Sequence, residues 1–227
     1  MDVVTLDFET YYDKEYSLSK MTTEEYIRDD RFEIIGLAVK KNGGTTRWLQ
    51  GEQLTTRFLS QVDLSSCAIL CHNTAFDGAI LSWRFGVQPK LWLDTMCMAR
   101  ALHGTEKSVS LKAVKGDEVT RALAKRLTDF TEEEIAKYAE YSRNDVDLTY
   151  ELFKLMFSGL LGNQFPRKEL QLIDRTLRMF IEPTLDLDVF LLEQHLEEIR
   201  ERKDKLLRDA NITDKKDLMS NNKFADL

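Results

Sequence analysis

Short runs of hydrophobic residues, separated by polar segments, predict several strands between residues 3 and 94. Residues 3–6 form an apolar, β-branched run, which is typical of a strand buried on both faces. Residues 42–44, Asn-Gly-Gly, form a turn signal between two such runs and predict a β-hairpin. The remaining predicted strands are residues 33–39, 45–49, 67–71 and 91–94.

Helical spacing of apolar positions is strongest between residues 131 and 157. Thr131 and Glu134 have the separation of a capping box, which marks the start of this helix. A shorter helix is predicted to follow residue 73 and to end at Gly86, because glycine is favoured just after the last helical residue.

The character of the chain changes near Gly162, after which it is nearly all helical. Pro166 and Asp188 are placed to begin two further helices, the second of them charged and amphipathic. Strands that alternate with helices before this point predict an α/β domain with a mixed sheet flanked by helices. We therefore predict one domain at residues 1–161 and a helical extension at residues 162–227.

Composition narrows the class of protein without identifying it. The chain has 227 residues, of which 43% are hydrophobic and 31% charged, and this is typical of a globular protein with a sizeable core. Its net charge of -7 and pI near 5.2 argue against broad electrostatic binding of duplex DNA. A site that grips a few nucleotides through stacking and metal ions needs few basic residues, so a nucleic-acid enzyme stays open.

The sequence also gives expectations about location and partners. No apolar run approaches the roughly 18 residues of a membrane span, and the N-terminus lacks the features of a secretion signal. Three cysteines, without the spacing of a zinc site, argue for a reducing compartment. We expect a monomer that does not bind membranes and lies in the cytoplasm, or in the host cytoplasm if the chain is viral.

Acidic residues at two places could share one site. Asp7 and Glu9 follow the first strand directly, and strand alternation turns them to the same face. Tyr141 and Asp145 are four residues apart on the long predicted helix, so they also share a face. Asp147 lies about 200° around the helix from Asp145, at about 100° per residue.

Three segments resemble the exonuclease motifs of the DEDDy family of 3'-5' exonucleases. They are residues 6–10 (LDFET), 73–77 (NTAFD) and 141–145 (YSRND). The chain is most similar in these segments to the proofreading domain of family A, Klenow-type DNA polymerases, including phage ones, over residues 1–160. The resemblance implies a ribonuclease H-like fold.

The resemblance also implies a role for each matching residue. Two divalent cations, Mg²⁺ or Mn²⁺, would be held by four acids, and Tyr141 would orient the attacking water or help to deprotonate it. Three residues, Thr10, Asn73 and Phe76, would contact the terminal nucleotides. The implied metal-binding acids are Asp7, Glu9, Asp77 and Asp145.

A proofreading exonuclease that acts on single-stranded DNA 3' ends and releases nucleoside 5'-monophosphates is the first expectation. Residues 169–227 resemble the helical segment that leads into a family A polymerase domain, which would follow Leu227 in the same chain. Residues 110–118 depart from the family pattern, since similar domains have a longer connection there. Oxygen ligands alone suit Mg²⁺ or Mn²⁺, and clustered carboxylates without a cation should have raised pKa values.

The same residues are also compatible with different roles. The motifs serve RNA-trimming exonucleases as well, and a non-catalytic strand-binding domain is a third possibility. Taken singly, Asp7 and Glu9 could be turn acids, Asp77 could favour a helix dipole and Tyr141 could be part of the core. Asp94 is expected to cap or brace the end of a strand rather than to bind metal.

Overall fold

The structure is a computed structural model that describes residues 1–104, 125–158, 164–182, 184 and 186–209. The short connection predicted at residues 110–118 and the polymerase-like segment after residue 209 lie outside these ranges. Within them, no helix has the length and apolar character needed to cross a bilayer.

A five-stranded mixed sheet occupies the centre of the described part of the chain. Its strands are β1 Val3–Thr10, β2 Ile34–Lys41, β3 Arg47–Gln50, β4 Ala68–Cys71 and β5 Leu91–Asp94. Their order in the sheet is β3-β2-β1-β4-β5. Strand β1 pairs antiparallel with β2 on one side and parallel with β4 on the other, and β2 and β3 form an antiparallel ribbon. Strands β4 and β5 are parallel.

The helices are α1 Thr23–Arg28, α2 Gly51–Gln61, α3 Thr74–Phe85, α4 Thr95–His103, α5 Glu132–Ser158, α6 Arg167–Ile181 and α7 Val189–Asp209. Helices α2, α3, α5 and α6 pack on the sheet, and some of the helices are those that the sequence predicts. The long helix α5 begins at the predicted capping box, where the Glu134 amide donates to Thr131 Oγ1 at 3.2 Å and the Thr131 amide donates to Glu134 Oε2 at 2.9 Å. Gly86 ends α3 in the left-handed conformation, with φ 65°.

One face of β1 carries apolar side chains and the other carries the two acids. Val4, Leu6 and Phe8 are buried in the larger hydrophobic cluster, on the side of the sheet where α3 packs. Asp7 and Glu9 point to the opposite side, where α5 crosses the sheet. Strand alternation therefore places the two acids under the long helix, as the sequence predicts.

Helix α6 belongs to the same compact unit as the sheet, which differs from the boundary predicted at residue 161/162. The unit extends over Met1–Pro183, and a second unit covers Thr184–Leu227. The reason is close packing: Ile181 is fully buried, and a β-carbon on Gly78 of α3 would lie 2.5 Å from its Cδ1. Trp83 Nε1 also donates to the Ile181 carbonyl at 2.8 Å.

Polar contacts hold the end of α6 against β5. Arg178 donates to the carbonyls of Pro89 and Lys90, at 2.9 and 3.2 Å. Trp92 Nε1 donates to Glu182 Oε1 at 2.8 Å, and the Trp92 side chain is fully buried. A helix predicted to lie in an appendage is thus part of the sheet domain.

The second unit contains α7. Its first turn is capped as predicted, since the Leu191 amide donates to Asp188 Oδ1 at 2.9 Å. The charged residues in the second half of α7 are exposed.

Candidate active site

All eight residues proposed from the motifs line one cleft of about 540 Å³. The cleft lies between the end of β1, the start of α3 and the middle of α5. The eight residues are Asp7, Glu9, Thr10, Asn73, Phe76, Asp77, Tyr141 and Asp145.

Two side chains of α5 donate hydrogen bonds to the carboxyl groups of Asp7 and Glu9 on β1. Ser142 Oγ donates to Asp7 Oδ2 at 3.2 Å, and the Tyr138 hydroxyl donates to Glu9 Oε2 at 2.7 Å. The charge of Asp7 also raises the pKa of Glu9. The two acids therefore interact with each other as well as with the helix.

Asp77 enters the cleft from the first turn of α3. Its Oδ1 accepts the backbone N–H of Phe8 at 2.8 Å, and only 3% of its surface is exposed. This hydrogen bond ties the second motif directly to the strand that carries the first. The helix dipole alone would not explain so buried an acid.

Helix α5 brings Tyr141 and Asp145 to the cleft, where their side chains hydrogen-bond to each other. Asp147 lies elsewhere: its Oδ1 pairs with Lys40 Nζ at 2.7 Å and accepts from the Thr46 hydroxyl. The helical geometry predicted from spacing, with Asp145 and not Asp147 beside Tyr141, is confirmed.

Asp7, Glu9 and Asp77 hold protons more tightly than free carboxyl groups do. Desolvation first, and the charge of Asp145 second, raise the pKa of Asp7 to about 7. Desolvation and then the charge of Asp7 raise the pKa values of Glu9 and Asp77 well above their usual range. This is the behaviour expected of clustered carboxylates without a neutralising cation.

The three residues proposed to contact nucleotides are placed differently from one another. Asn73 is exposed and adopts the left-handed conformation, with φ 76°, which is uncommon for a residue other than glycine. Phe76 is partly buried, with its ring 5.9 Å from that of Tyr26. The Thr10 hydroxyl is 2.8 Å from the Tyr26 hydroxyl, so it already has a protein partner.

Solved structures of NrnC from Brucella melitensis are similar to this structure. NrnC bound to pGG gives a TM-score of 0.52 at 16% identity, covering 79% of this chain and 81% of that chain. Another NrnC structure gives 0.53 at 16% identity, covering 82% and 89%. NrnC with bound Mg²⁺ gives 0.52 at 16% identity over the same shares, 82% and 89%.

The fold is ribonuclease H-like. At 16% identity the likeness to NrnC establishes the architecture alone. No protein-family model matches the sequence, and no curated protein matches it. The roles of residues in this ribonuclease H-like domain therefore rest on its own geometry and motifs.

Asp94 braces the cleft from behind, as its position at the end of β5 predicts. Its carboxylate accepts four backbone N–H groups from the starts of two helices. Oδ2 accepts Thr74 at 2.9 Å, and Oδ1 accepts Met96 at 2.7 Å and both Asn73 and Cys97 at 3.2 Å. The side chain is 1% exposed, so water does not replace these bonds.

Replacing Asp94 with alanine should lower the free energy of unfolding by roughly 3 kcal/mol, because buried N–H groups at two helix starts lose their acceptor. Urea denaturation measures this loss. Asp63→Ala is the control, since Asp63 accepts from Ser65 at an exposed turn. A loss for Asp94→Ala no larger than that of the control would contradict the bracing role.

Tyr138 and Ser142 hydrogen-bond to the acids, although neither is among the site residues predicted from the sequence. A signal for them is present in the sequence, because residues 138, 141, 142 and 145 follow the i, i+3, i+4, i+7 spacing of one helix face. The motif directs attention to Tyr141 and Asp145 alone. The partners of Tyr138 and Ser142 come from a strand about 130 residues away in sequence.

The donor chemistry of the cleft fits divalent cations, although the described residues form no preformed cage. Within the ranges that the structure describes, no three His, Cys, Asp or Glu side chains are grouped so that they could hold a metal ion. Glu9 is hydrogen-bonded to Tyr138, and Asp77 to the Phe8 amide. Oxygen-only donors with raised pKa values are nevertheless a set that Mg²⁺ or Mn²⁺ would stabilise in the ionised form.

Proposed function

We propose that this chain is a metal-dependent 3'-5' exonuclease that removes nucleotides from the 3' end of single-stranded nucleic acid, with RNA as the favoured class. One observation carries the proposal. Four carboxyl groups from three separate segments line a single cleft, and a tyrosine is hydrogen-bonded to one of them. Three of these acids, Asp7, Glu9 and Asp77, have raised pKa values, and acids with perturbed pKa values are concentrated at functional sites.

The cation ligands in this proposal are the four acids, Asp7, Glu9, Asp77 and Asp145. Two Mg²⁺ or Mn²⁺ ions, when bound, would supply activation of a water molecule and stabilisation of the departing 3' oxygen. Ser142 and the Phe8 amide would then keep Asp7 and Asp77 in place through the hydrogen bonds that they already make.

Tyr141 would orient the attacking water rather than remove its proton. Desolvation, followed by the charge of Asp145, raises the pKa of Tyr141 above its usual range. The phenol therefore stays protonated at neutral pH and can donate a hydrogen bond. Of the two roles that the family resemblance allows, the orienting role fits this environment.

The residues proposed to contact the terminal nucleotides come from two segments of the chain. The Phe76 ring is partly exposed and lies beside Tyr26, so a terminal base could stack there. The Asn73 side chain is exposed at the start of α3, on backbone of a strained conformation. In this proposal the Thr10 hydroxyl acts through Tyr26 and shapes the wall of the cleft.

We favour trimming of RNA over proofreading of DNA because of the solved structures that this fold resembles. Solved structures with the same fold include those of NrnC, one of them bound to pGG and another with bound Mg²⁺. Nothing in those comparisons supports a polymerase context. The DNA expectation rests on motif resemblance alone, and it becomes an outcome of the test.

Matched single-stranded RNA and DNA 12-mers with a 5' label should be shortened from the 3' end in the presence of Mg²⁺, and the RNA faster. Asp145→Ala should reduce the rate on the order of 10³-fold or more, because it removes a cation ligand. Glu151→Ala, an exposed acid on the same helix that pairs with Lys154, is the matched control and should stay within twofold of the unmodified chain.

Two results would change the assignment. Faster shortening of DNA would replace RNA trimming by proofreading as the activity. Binding of either strand without any Mg²⁺-dependent shortening would overturn the exonuclease proposal and favour a strand-binding domain.

A further inference from the structure

Tyr138 is a second tyrosine at the acids, one helical turn before Tyr141. Its hydroxyl donates to Glu9 Oε2 at 2.7 Å, and its side chain lines the cleft although only 7% of the residue is exposed. The three sequence motifs do not include this residue. Its partner is nevertheless one of the four acids on which the proposed function depends.

The position of the Tyr138 ring is fixed by its neighbours on three sides. The Phe130 ring is stacked on it at 5.5 Å between centroids and 13° between planes, and the Tyr141 ring at 6.4 Å and 13°. The Trp48 ring packs at 6.4 Å, tilted by 60°. Since packing sets the ring, the hydroxyl imposes its position on Glu9 rather than following it.

Glu9 is enclosed from the strand side as well. Its partner in the β1–β2 ladder is Gly36, and cross-strand partners project to the same face. A β-carbon on Gly36 would lie 2.1 Å from Trp48 Cζ2, so glycine is required for the Trp48 ring to lie beside the Glu9 strand. Trp48 in turn supports Tyr138.

We propose that Tyr138 is a positioning residue that orients the Glu9 carboxylate for cation binding. The hydroxyl holds Glu9 Oε2 at 2.7 Å, and the stacked and tilted rings around Tyr138 keep the hydroxyl in place. A hydrogen bond to a metal-ligating side chain sets its orientation, and losing one typically costs 10- to 100-fold in metal affinity or activity. This inference rests on the proposed function, because it concerns the same four acids.

Tyr138→Phe tests the hydroxyl while retaining the ring and its stacking. Thermal denaturation is followed against Mg²⁺ concentration without any nucleic acid, and the concentration that gives half of the maximal shift in Tm is measured. We expect this midpoint to rise about 10-fold in Tyr138→Phe. At subsaturating Mg²⁺, kcat should fall by a similar factor, with KM for the oligonucleotide within twofold of the unmodified chain.

Tyr16→Phe is the matched control, because it also removes one buried phenol that donates a hydrogen bond. Tyr16 is fully buried, and its hydroxyl donates to the Tyr26 carbonyl at 2.6 Å. Its Mg²⁺ midpoint should equal that of the unmodified chain, even if its Tm without Mg²⁺ is lower. Should Tyr138→Phe fail to fold, Tyr138→Met also lacks the hydroxyl and the same midpoint criterion applies to it.

The inference and the proposed function can fail separately. If the unmodified chain responds to Mg²⁺ and Tyr138→Phe has the same midpoint within twofold, the hydroxyl is only structural and the inference is overturned. If the unmodified chain shows neither a Mg²⁺-dependent Tm nor nuclease activity, the proposed function fails and the inference falls with it.

Discussion

Replacing Asp7 with asparagine should make the metal-free protein more stable at pH 8 while removing its nuclease activity. The free energy of unfolding should rise by about 1–2 kcal/mol, since one unit of pKa corresponds to about 1.4 kcal/mol and solvent in the cleft weakens the effect. For a chain of this size that is an increase in Tm of roughly 2–8 °C.

The direction follows from proton linkage. Burial raises the pKa of Asp7 to about 7 in the folded state, against about 3.9 in an unfolded chain. The folded state therefore holds a proton that the unfolded state has lost between these values, and stability is lost as the pH rises through about 7. Asparagine cannot ionise, so at pH 8 the variant avoids the cost of a partly desolvated carboxylate beside Asp145.

The same linkage governs the response to metal. Binding of Mg²⁺ requires the ionised acid, so the rise in Tm that Mg²⁺ causes in the unmodified chain should be larger at pH 8 than at pH 5.5. Asp7→Asn should show little Mg²⁺-dependent rise at either pH. Thermal denaturation of both proteins at the two pH values, with and without Mg²⁺, measures all four differences.

Asp63→Asn is a suitable control, because Asp63 is a turn acid outside the cleft whose carboxylate accepts from Ser65. It should neither stabilise the metal-free protein at pH 8 nor change the response to Mg²⁺. An Asp7→Asn protein that is less stable than the unmodified chain at pH 8 would show that the Asp7 carboxylate is not a destabilising group.

A chain that ends at residue 161 should not fold cooperatively, whereas a chain that ends at residue 188 should. The shorter chain lacks α6, which buries Leu170, Leu177 and Ile181. At about 2 kcal/mol for each buried side chain, their loss alone is about 6 kcal/mol, as large as the whole stability of many domains. It also uncovers Trp92 and the packing surface at Gly78.

Circular dichroism and urea denaturation compare the two truncated chains. The chain ending at residue 188 retains Glu182 and the hydrogen bond that it accepts from Trp92. We expect this chain to keep a single unfolding transition and the fluorescence of a buried Trp92. Cooperative unfolding of the chain that ends at residue 161 would show that α6 is dispensable and would restore the boundary predicted near Gly162.

The sequence predicts local features of the site well, because short-range geometry determines them. Alternation along β1 places Asp7 and Glu9 on one face, and helical spacing selects Asp145 over Asp147. The mixed sheet and the flanking helices are confirmed, as are the hairpin at Asn42, with φ 50°, and the long helix that carries Tyr141. Each of these depends on residues that are close in sequence.

Features that depend on distant residues are not predictable in the same way. The placement of α6 depends on contacts between Ile181 and Gly78, which are about 100 residues apart. Helices α1, α2 and α4 are absent from the prediction, although Thr22 and Glu25 form a capping box at the start of α1. No spacing rule indicates that Tyr138 meets Glu9, since the meeting depends on how α5 crosses the sheet.

Strand β3 lies at the edge of the sheet, where proteins usually tolerate sequence change. Here the edge carries Trp48, which supports Tyr138 and requires glycine at position 36. A survey of all substitutions at these positions should therefore find Gly36 and Trp48 as restricted as interior residues. At this edge, contact with the residues around Glu9 should limit substitution more than position in the sheet does.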